Sequence, residues 1–311
     1  MILGGEEVGR LNTKDLEYFI NLTQLKNFSK VAQKFGGVSQ PTITFALQRL
    51  ENELNAKLII RHRAQRRLVI TESGQQLLEH ATDIMLHYQW LQREILAGHQ
   101  KKLSLGLPPI IENNYFPRIA KRLKEQKLLD KIQTMEYGSK TTLEALQTGE
   151  VDLALLGSID PLSNEEIITE EFDRQPFVIY VARTHPLAHQ KTVSFADLKA
   201  EDFVLFKDGF VHNQAFNLLA KRSHFRPHVV FRSNGIHSLI NLIADGVGIG
   251  FLTATIKTKR SDVVRLELRD PDAPSFVTNI AYRRSHVFNK LQQQILDSIR
   301  ETLITNKYDG C

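Results

Sequence analysis

The stretch Phe28-Ser-Lys-Val-Ala-Gln-Lys-Phe35-Gly-Gly-Val-Ser39-Gln-Pro-Thr-Ile-Thr-Phe45-Ala-Leu-Gln-Arg-Leu50-Glu decides how the N-terminal part of the chain folds. Phe28, Val31, Ala32 and Phe35 recur at helical spacing behind Asn27, and Gly36-Gly37 breaks the pattern. Ser39 can accept from the free N–H groups of a following turn, and Pro41 is tolerated where no intrahelical donor is needed, so Ser-Gln-Pro starts a second helix. That helix turns Ile43, Leu47, Leu50 and Leu54 inward and leaves Pro41, Thr42, Phe45, Gln48, Arg49 and Asn52 on the opposite face. Two short helices around a tight turn, the second with a polar outer face, make a helix-turn-helix.

Upstream, Leu16, Phe19, Ile20 and Thr23 mark an earlier helix capped by Asn12 or Thr13. Downstream, residues 57–60 and 68–71 read as strands flanking Arg61-His-Arg-Ala-Gln-Arg-Arg67, a basic hairpin. A long helix then starts at Thr71, with Ser73 as an alternative cap, and is expected to stop near Gly98. Along it Leu77, Ala81, Ile84, Tyr88, Leu91 and Ile95 alternate spacings of four and three, the seam of a coiled coil. The seam implies a partner helix; a stripe buried within one chain is the alternative.

The formal charge of +5 is unevenly placed: between residues 26 and 67, nine Lys or Arg face only Glu51 and Glu53, while the remainder of the chain carries two more acids than bases. Charge concentrated in this way is the footprint of a nucleic-acid contact, or else a solvated basic face.

Beyond Lys101-Lys102, strand, turn and helix alternate to the end, which argues for parallel α/β structure. Strands are predicted near 103–107, 131–137, 151–156, 177–182, 203–206, 228–233, 248–252, 263–267 and 279–282. At 311 residues the chain exceeds the size of one efficient core, so two or three units are expected. No apolar run is long enough to span a bilayer and no signal pattern opens the chain, which places the protein in the cytoplasm. The one cysteine, Cys311, has no partner in the chain for a disulfide.

Enzymatic and cofactor chemistry finds no carrier. Gly246-Val-Gly248-Ile-Gly250 follows a helix and enters a strand, the reverse of the order that places pyrophosphate on a helix N-terminus. His185 and His189 lack the glutamate of a zinc helix, and Pro186 opposes a helix there. Neither a nucleophile elbow nor a phosphate loop is present, so no catalytic residue, metal or cofactor is assigned. The competing class is a solute-binding module or small enzyme with an accessory basic domain.

Phe28-Ser-Lys-Val-Ala-Gln-Lys-Phe, Val38-Ser-Gln-Pro-Thr-Ile-Thr, Arg49-Leu-Glu, Leu58-Ile-Ile-Arg61 and Leu68-Val-Ile-Thr71-Glu-Ser-Gly74 together resemble the LysR-type bacterial transcriptional regulators. Gly138-Ser139, Asp152-Leu-Ala-Leu, His185-Pro-Leu-Ala188 and the segment 239–252 extend the resemblance more weakly through the chain. It implies an α/β protein with a winged helix-turn-helix at 11–74, a dimerising linker helix at 75–98 and a two-lobed, periplasmic-binding-protein-like effector domain at 103–311. Lobe I would comprise 103–177 and 278–305, and lobe II 178–277. Residues 1–10 extend beyond the family's usual start as a tail, an alternative start or a cloning remnant.

The implied partners are double-stranded DNA, a small-molecule effector, further copies of the chain as a dimer or tetramer, and RNA polymerase. For DNA the candidates are Gln40, Pro41, Thr42, Thr44, Phe45, Gln48 and Arg49 at the bases, Ser39 with Thr44 at phosphates or as cap and packing, and Arg61, Arg63, Arg66 and Arg67 at the backbone or minor groove. Phe45 stands where many members carry Arg, and either touches a thymine methyl or packs against the turn, which is one residue longer than usual. The wing is also longer and more basic than the common pattern.

For the effector, Pro108, Pro109 and Ile110, then Ser139, Lys140 and Thr141, then Ser233 and Asn234 follow strand ends, where open α/β folds bind ligands. Their chemistry suits a small carboxylate; capping alone accounts equally for Ser139 and Ser233. His212 and His237 would line the same cleft or sit in core or solvent. Gly106-Leu-Pro-Pro-Ile-Ile with Gln40-Pro-Thr-Ile-Thr is further similar to activators of malolactic-enzyme operons, which implies L-malate.

Overall fold

The computed structural model describes residues 11–62, 67–100, 102–162 and 165–304. They form two compact units that part between Glu94 and Ile95. The first holds α1 (Thr13–Leu25), α2 (Phe28–Lys34), α3 (Gln40–Glu53), β1 (Ile59–His62), β2 (Arg67–Ile70) and most of α4 (Glu72–Gln100).

Local chemistry sets these boundaries. Asn12, Asn27 and Ser39 each accept a backbone N–H from the first turn of their helix, and Pro41 occupies the first turn of α3. Gly36 and Gly37 take φ of +74° and +80°, a left-handed pair that lets the chain reverse between α2 and α3. Thr71 Oγ1 accepts from Gly74 N–H and opens α4, while a side chain at Gly74 would strike the Leu58 carbonyl. The core joins Leu16, Phe19 and Leu22 of α1 to Val31 of α2, Ile43, Leu47 and Leu50 of α3, and Leu58 before β1. Leu54 departs from the expected stripe: it caps α3 and is largely exposed, and Ala46 and Glu51 are buried instead.

Two further expectations are corrected in this unit. The wing strands lie closer to the basic segment than predicted, at 59–62 and 67–70, pairing Arg61 with Leu68 and His62 with Arg67. Helix α4 passes Gly98 and ends at Gln100. Its apolar stripe also divides: Leu77 and Ala81 are buried in the helix-turn-helix core, whereas Ile84, Tyr88, Leu91 and Ile95 are exposed.

The second unit contains β3 (Leu103–Gly106), α5 (Pro109–Glu125), β4 (Ile132–Met135), α6 (Ser139–Gln147), β5 (Leu153–Ser158), β6 (Ile167–Ala182), β7 (Thr192–Val193), β8 (Asp202–Phe206), α7 (Val211–Arg222), β9 (His228–Ser233), α8 (Ile236–Ala244), β10 (Ile249–Thr253), β11 (Val263–Leu268), β12 (Ser275–Arg283) and α9 (Lys290–Leu303). One lobe's sheet runs β4-β3-β5-β12-β6 and the other's β6-β10-β8-β9, with β11 attached to β6 and β7 to β11.

The sheet is mixed rather than parallel. β3 pairs parallel with β4 and β5, and β8 with β9 and β10, but β6 and β12 run antiparallel to each other and to their remaining neighbours. Strand β6 is sixteen residues long and belongs to both lobes: Ile167 to Pro176 pair with β12, and Phe177 to Ala182 with β10 or β11. The return lies earlier than the expected 278, because Ser275 already pairs with Pro176 and Val277 with Arg174. Both faces of β8 and β10 are covered, with Phe177 and Phe251 stacked at 4.9 Å beside Phe195, Phe203 and Phe216, whereas the edge strand β9 is largely exposed. Gly246, at φ +72°, turns α8 back into β10, the helix-to-strand order expected for that glycine run.

Candidate functional site

In the first unit, α3 presents Gln40, Pro41, Phe45, Gln48 and Arg49 as exposed side chains, with Thr42 and Thr44 half-buried. Phe45 is 58% exposed, with much of its ring open to solvent on the outer face of α3. Ser39 caps α3 through Thr42 N–H at 3.3 Å and lies 2.9 Å from the Thr42 hydroxyl. Arg49 is tied to α1: Nε and Nη2 donate to the Asp15 carboxylate at 2.7 and 2.6 Å, while the side chain stays 57% exposed. Arg61 lies over the Phe28 ring at 3.7 Å and donates from Nη2 to Thr44 Oγ1 at 3.4 Å, which docks the wing on α2 and α3. Arg63 and Arg66 lie outside the described residues, as does the side chain of Arg67.

Glu51 carries a role that sequence reading missed. Buried at the end of α3, it accepts from Leu58 N–H at 3.0 Å and Lys57 Nζ at 2.8 Å, anchoring the approach to the wing. A carboxylate flanked by Asn52 and Glu53 reads as surface; only the fold makes it a core acceptor.

In the second unit, the ends of three helices meet. Pro108, Ile110 and Ile111 at the start of α5, Gly138 and Ser139 at the start of α6, and Phe210, Val211 and His212 at the start of α7 line one cavity of about 10 Å³ with Phe276. An adjoining cavity of about 120 Å³ includes Ser139, Lys140, Gly157, Ser158, Gly209, Val211 and Gln214. None of the three helices has a side-chain N-cap. First-turn N–H groups without intrahelical acceptors, carrying the positive end of the helix dipole, therefore face this cleft from both lobes.

The lobes touch at its edge, where a Cβ on Gly138 would come within 3.1 Å of the Gly209 carbonyl oxygen. Ser139 Oγ accepts from Gly157 N–H at 3.1 Å, so the hydroxyl locks α6 to β5.

Not every expected residue arrives. Pro109 and Thr141 stand at the helix starts but line neither cavity. Ser233 Oγ accepts from Gly235 N–H in its own turn, and Asn234 is exposed; the second lobe's contribution comes from Gly209, Phe210 and Val211 instead. His237 is exposed.

His212, in contrast, is 2% exposed and borders the cleft, with Nε2 accepting from Thr253 N–H at 3.2 Å. Burial among rings lowers its pKa to about 3, so the imidazole is neutral. His185 is structural: Nδ1 accepts from Leu187 N–H and Nε2 lies 3.1 Å from the Glu201 carboxylate. A more polar hollow of about 370 Å³ lies between α5 and the segment after β10, where the buried Tyr115 hydroxyl donates to Asp173 at 2.7 Å. No helix start opens into it.

A winged helix-turn-helix carried on a long helix, with a two-lobed α/β unit whose cleft collects helix N-termini, defines a transcriptional regulator with a built-in small-molecule sensor. The chain belongs to the LysR family: residues 96–304 match the LysR substrate binding domain and residues 13–75 the lysR-family bacterial regulatory helix-turn-helix protein. It is 28% identical over 292 residues to the malolactic fermentation system transcriptional activator of Lactococcus lactis, covering 93% of this chain and 98% of that one. To the transcriptional dual regulator OxyR of Escherichia coli it is 26% identical over 300 residues, 93% of this chain and 95% of that one. Among solved structures, a Corynebacterium glutamicum OxyR C206 mutant superposes with a TM-score of 0.53 at 20% identity, covering 94% and 92% of the two chains.

Proposed function

We propose that this regulator is switched by a small carboxylate held between its two lobes, with L-malate as the leading candidate. The observation that carries the reading is the convergence of the α5, α6 and α7 starts, all without side-chain caps, on one cleft. Such a site offers an anion several backbone donors without burying a permanent cation beside them. Lys140, at the adjoining cavity, adds a charge at the rim. The L. lactis relative's name supplies the choice of malate and suggests an activator that works with RNA polymerase. Within this chain a single cysteine offers no disulfide pair for a thiol switch.

On the DNA side, α3 enters the major groove with Gln40, Pro41, Thr42, Phe45 and Gln48 toward the bases, while Ser39 and Thr44 face phosphates. Arg61, Arg63, Arg66 and Arg67 supply backbone or minor-groove contacts, and the exposed part of the α4 stripe joins copies of the chain into a dimer or tetramer.

Calorimetry on the full chain with L-malate, succinate, fumarate and neutral amino acids tests the effector reading. Saturable binding of a dicarboxylate that changes the mobility or footprint of a protein–DNA complex is expected. Equal affinity in a folded Lys140→Glu, Val211→Trp variant, which reverses the rim charge and fills the cavity that these residues line, would move the site elsewhere.

A further inference from the structure

We propose that the Nδ1–H of His212 is the effector's deep anchor, a neutral donor that selects small organic acids able to place one oxygen against the aromatic wall of the cleft. This rests on the reading of that cleft as the carboxylate site.

The argument is one of protons and partners. Nε2 accepts from the Thr253 N–H at 3.2 Å, so that nitrogen carries the lone pair and the ring proton sits on Nδ1. Nδ1 is itself buried and finds no hydrogen-bond partner in the protein. The ring cannot swing toward solvent, because Phe177, Phe206 and Phe276 surround it at centroid distances of 5.2, 4.9 and 5.5 Å. A buried donor without an acceptor is unfavourable, and natural folds keep few of them without a reason. Here the donor belongs to a residue that lines the cleft beside Ser139 and Phe276.

A purely structural histidine at this place would need only its bond to Thr253.

The same features define the ligand class. The ring is neutral, as burial keeps it, so it contributes direction rather than charge; the charge complement comes from the helix starts. A carboxylate oxygen is a stronger acceptor for such a donor than a hydroxyl or carbonyl. The adjoining cavity, at about 120 Å³, favours a compact acid over a nucleotide or sugar phosphate, and the recess of about 10 Å³ that His212 borders has room for one oxygen of it rather than the whole molecule. Phe210, Ile110 and Phe276 leave an apolar wall for the remainder of the molecule.

The test uses the full chain labelled with nitrogen-15 at histidine, titrated with L-malate and with succinate. Long-range proton–nitrogen correlation spectra should show His212 as the neutral tautomer protonated at Nδ1, with the Nδ1–H resonance moving downfield as the acid saturates. By calorimetry, His212→Phe should weaken binding on the order of tenfold or more. His212→Asn, whose side-chain amide puts a donor near the position of Nδ1, should keep most of the affinity. An acid that binds the wild-type chain without shifting the Nδ1–H signal, or that binds His212→Phe undiminished, overturns the role of His212 and leaves the cleft reading standing. Failure of every carboxylate to bind the wild-type chain overturns the cleft reading, and this proposal with it.

Discussion

Arg49 holds the buried Asp15 carboxylate in a two-pronged grip, with N–O distances of 2.7 and 2.6 Å, and so ties α3 to α1 across 34 residues of chain. The arginine side chain is 57% exposed and the aspartate 4%, so the pair is screened on one side only. Arg49→Met should destabilise the N-terminal unit by about 1–2 kcal/mol, between the values typical of exposed and of buried pairs. Adding Asp15→Asn should return part of the loss. Thermal unfolding of the two variants checks this, and an unchanged melting point in Arg49→Met would show the grip to be ornamental.

Phe45 stands exposed among polar neighbours on the outer face of α3, where it gains nothing from the fold. Phe45→Ala should leave stability within about 0.5 kcal/mol of wild type and lower affinity for the specific site without altering its salt dependence, since no phosphate contact is removed. Phe45→Arg should shift the selected site toward guanine at one position. Binding-site selection with both variants decides, and identical site preferences in all three proteins would exclude base contact by this residue.

The divided stripe of α4 lets folding and the proposed assembly be tested separately. Ala81→Glu would put a carboxylate into the helix-turn-helix core and unfold the first unit, whereas Ile84→Glu with Leu91→Glu changes only exposed positions. The second pair should lower the association state in sedimentation while circular dichroism stays constant. Dimers that persist in it would place the interface elsewhere.

His212 also sets a pH limit. Its pKa in the folded chain is lowered to about 3 from an ordinary 6.5, so below 6.5 the unfolded chain binds a proton that the folded one refuses. Above pH 6.5 the residue has no effect on the balance; between 6.5 and 3 it destabilises the effector unit progressively, by at most about 1.4 kcal/mol per pH unit. Urea unfolding of wild type and His212→Phe across that window should give a flatter acid limb for the variant. Parallel limbs would mean that protonation is tolerated in the fold.

The parts of this protein that follow from neighbouring residues were legible in the sequence. Asn27, Ser39, Pro41 and Gly36-Gly37 act within one turn of their own position, so the helix-turn-helix could be read directly. Glu51 and Arg49 were not, because their partners Leu58 and Asp15 are defined only when α3 docks. The first half of β6, with Thr169, Glu170 and Glu171 along its course, was not among the predicted strands, because one exposed face breaks the apolar run. In the cleft, the rule of strand ends located the starts of α5 and α6. It pointed to Ser233 and Asn234 in the second lobe because they are polar, whereas the lobe presents the apolar Phe210 and Val211, whose contribution is the backbone at a helix start.

Strand β6 limits where this chain can change in length. Its sixteen residues are paired on one side with β12 as far as Pro176 and with β10 or β11 immediately after, with no loop between the lobes to absorb a slip. Side chains in a strand alternate faces, so removing one residue near Pro176 would turn over every position that follows, exchanging Phe177 with Val178 and each later pair in turn. In this chain the connections can take up a change of length that β6 itself cannot, so one strand holds both lobes to a single register.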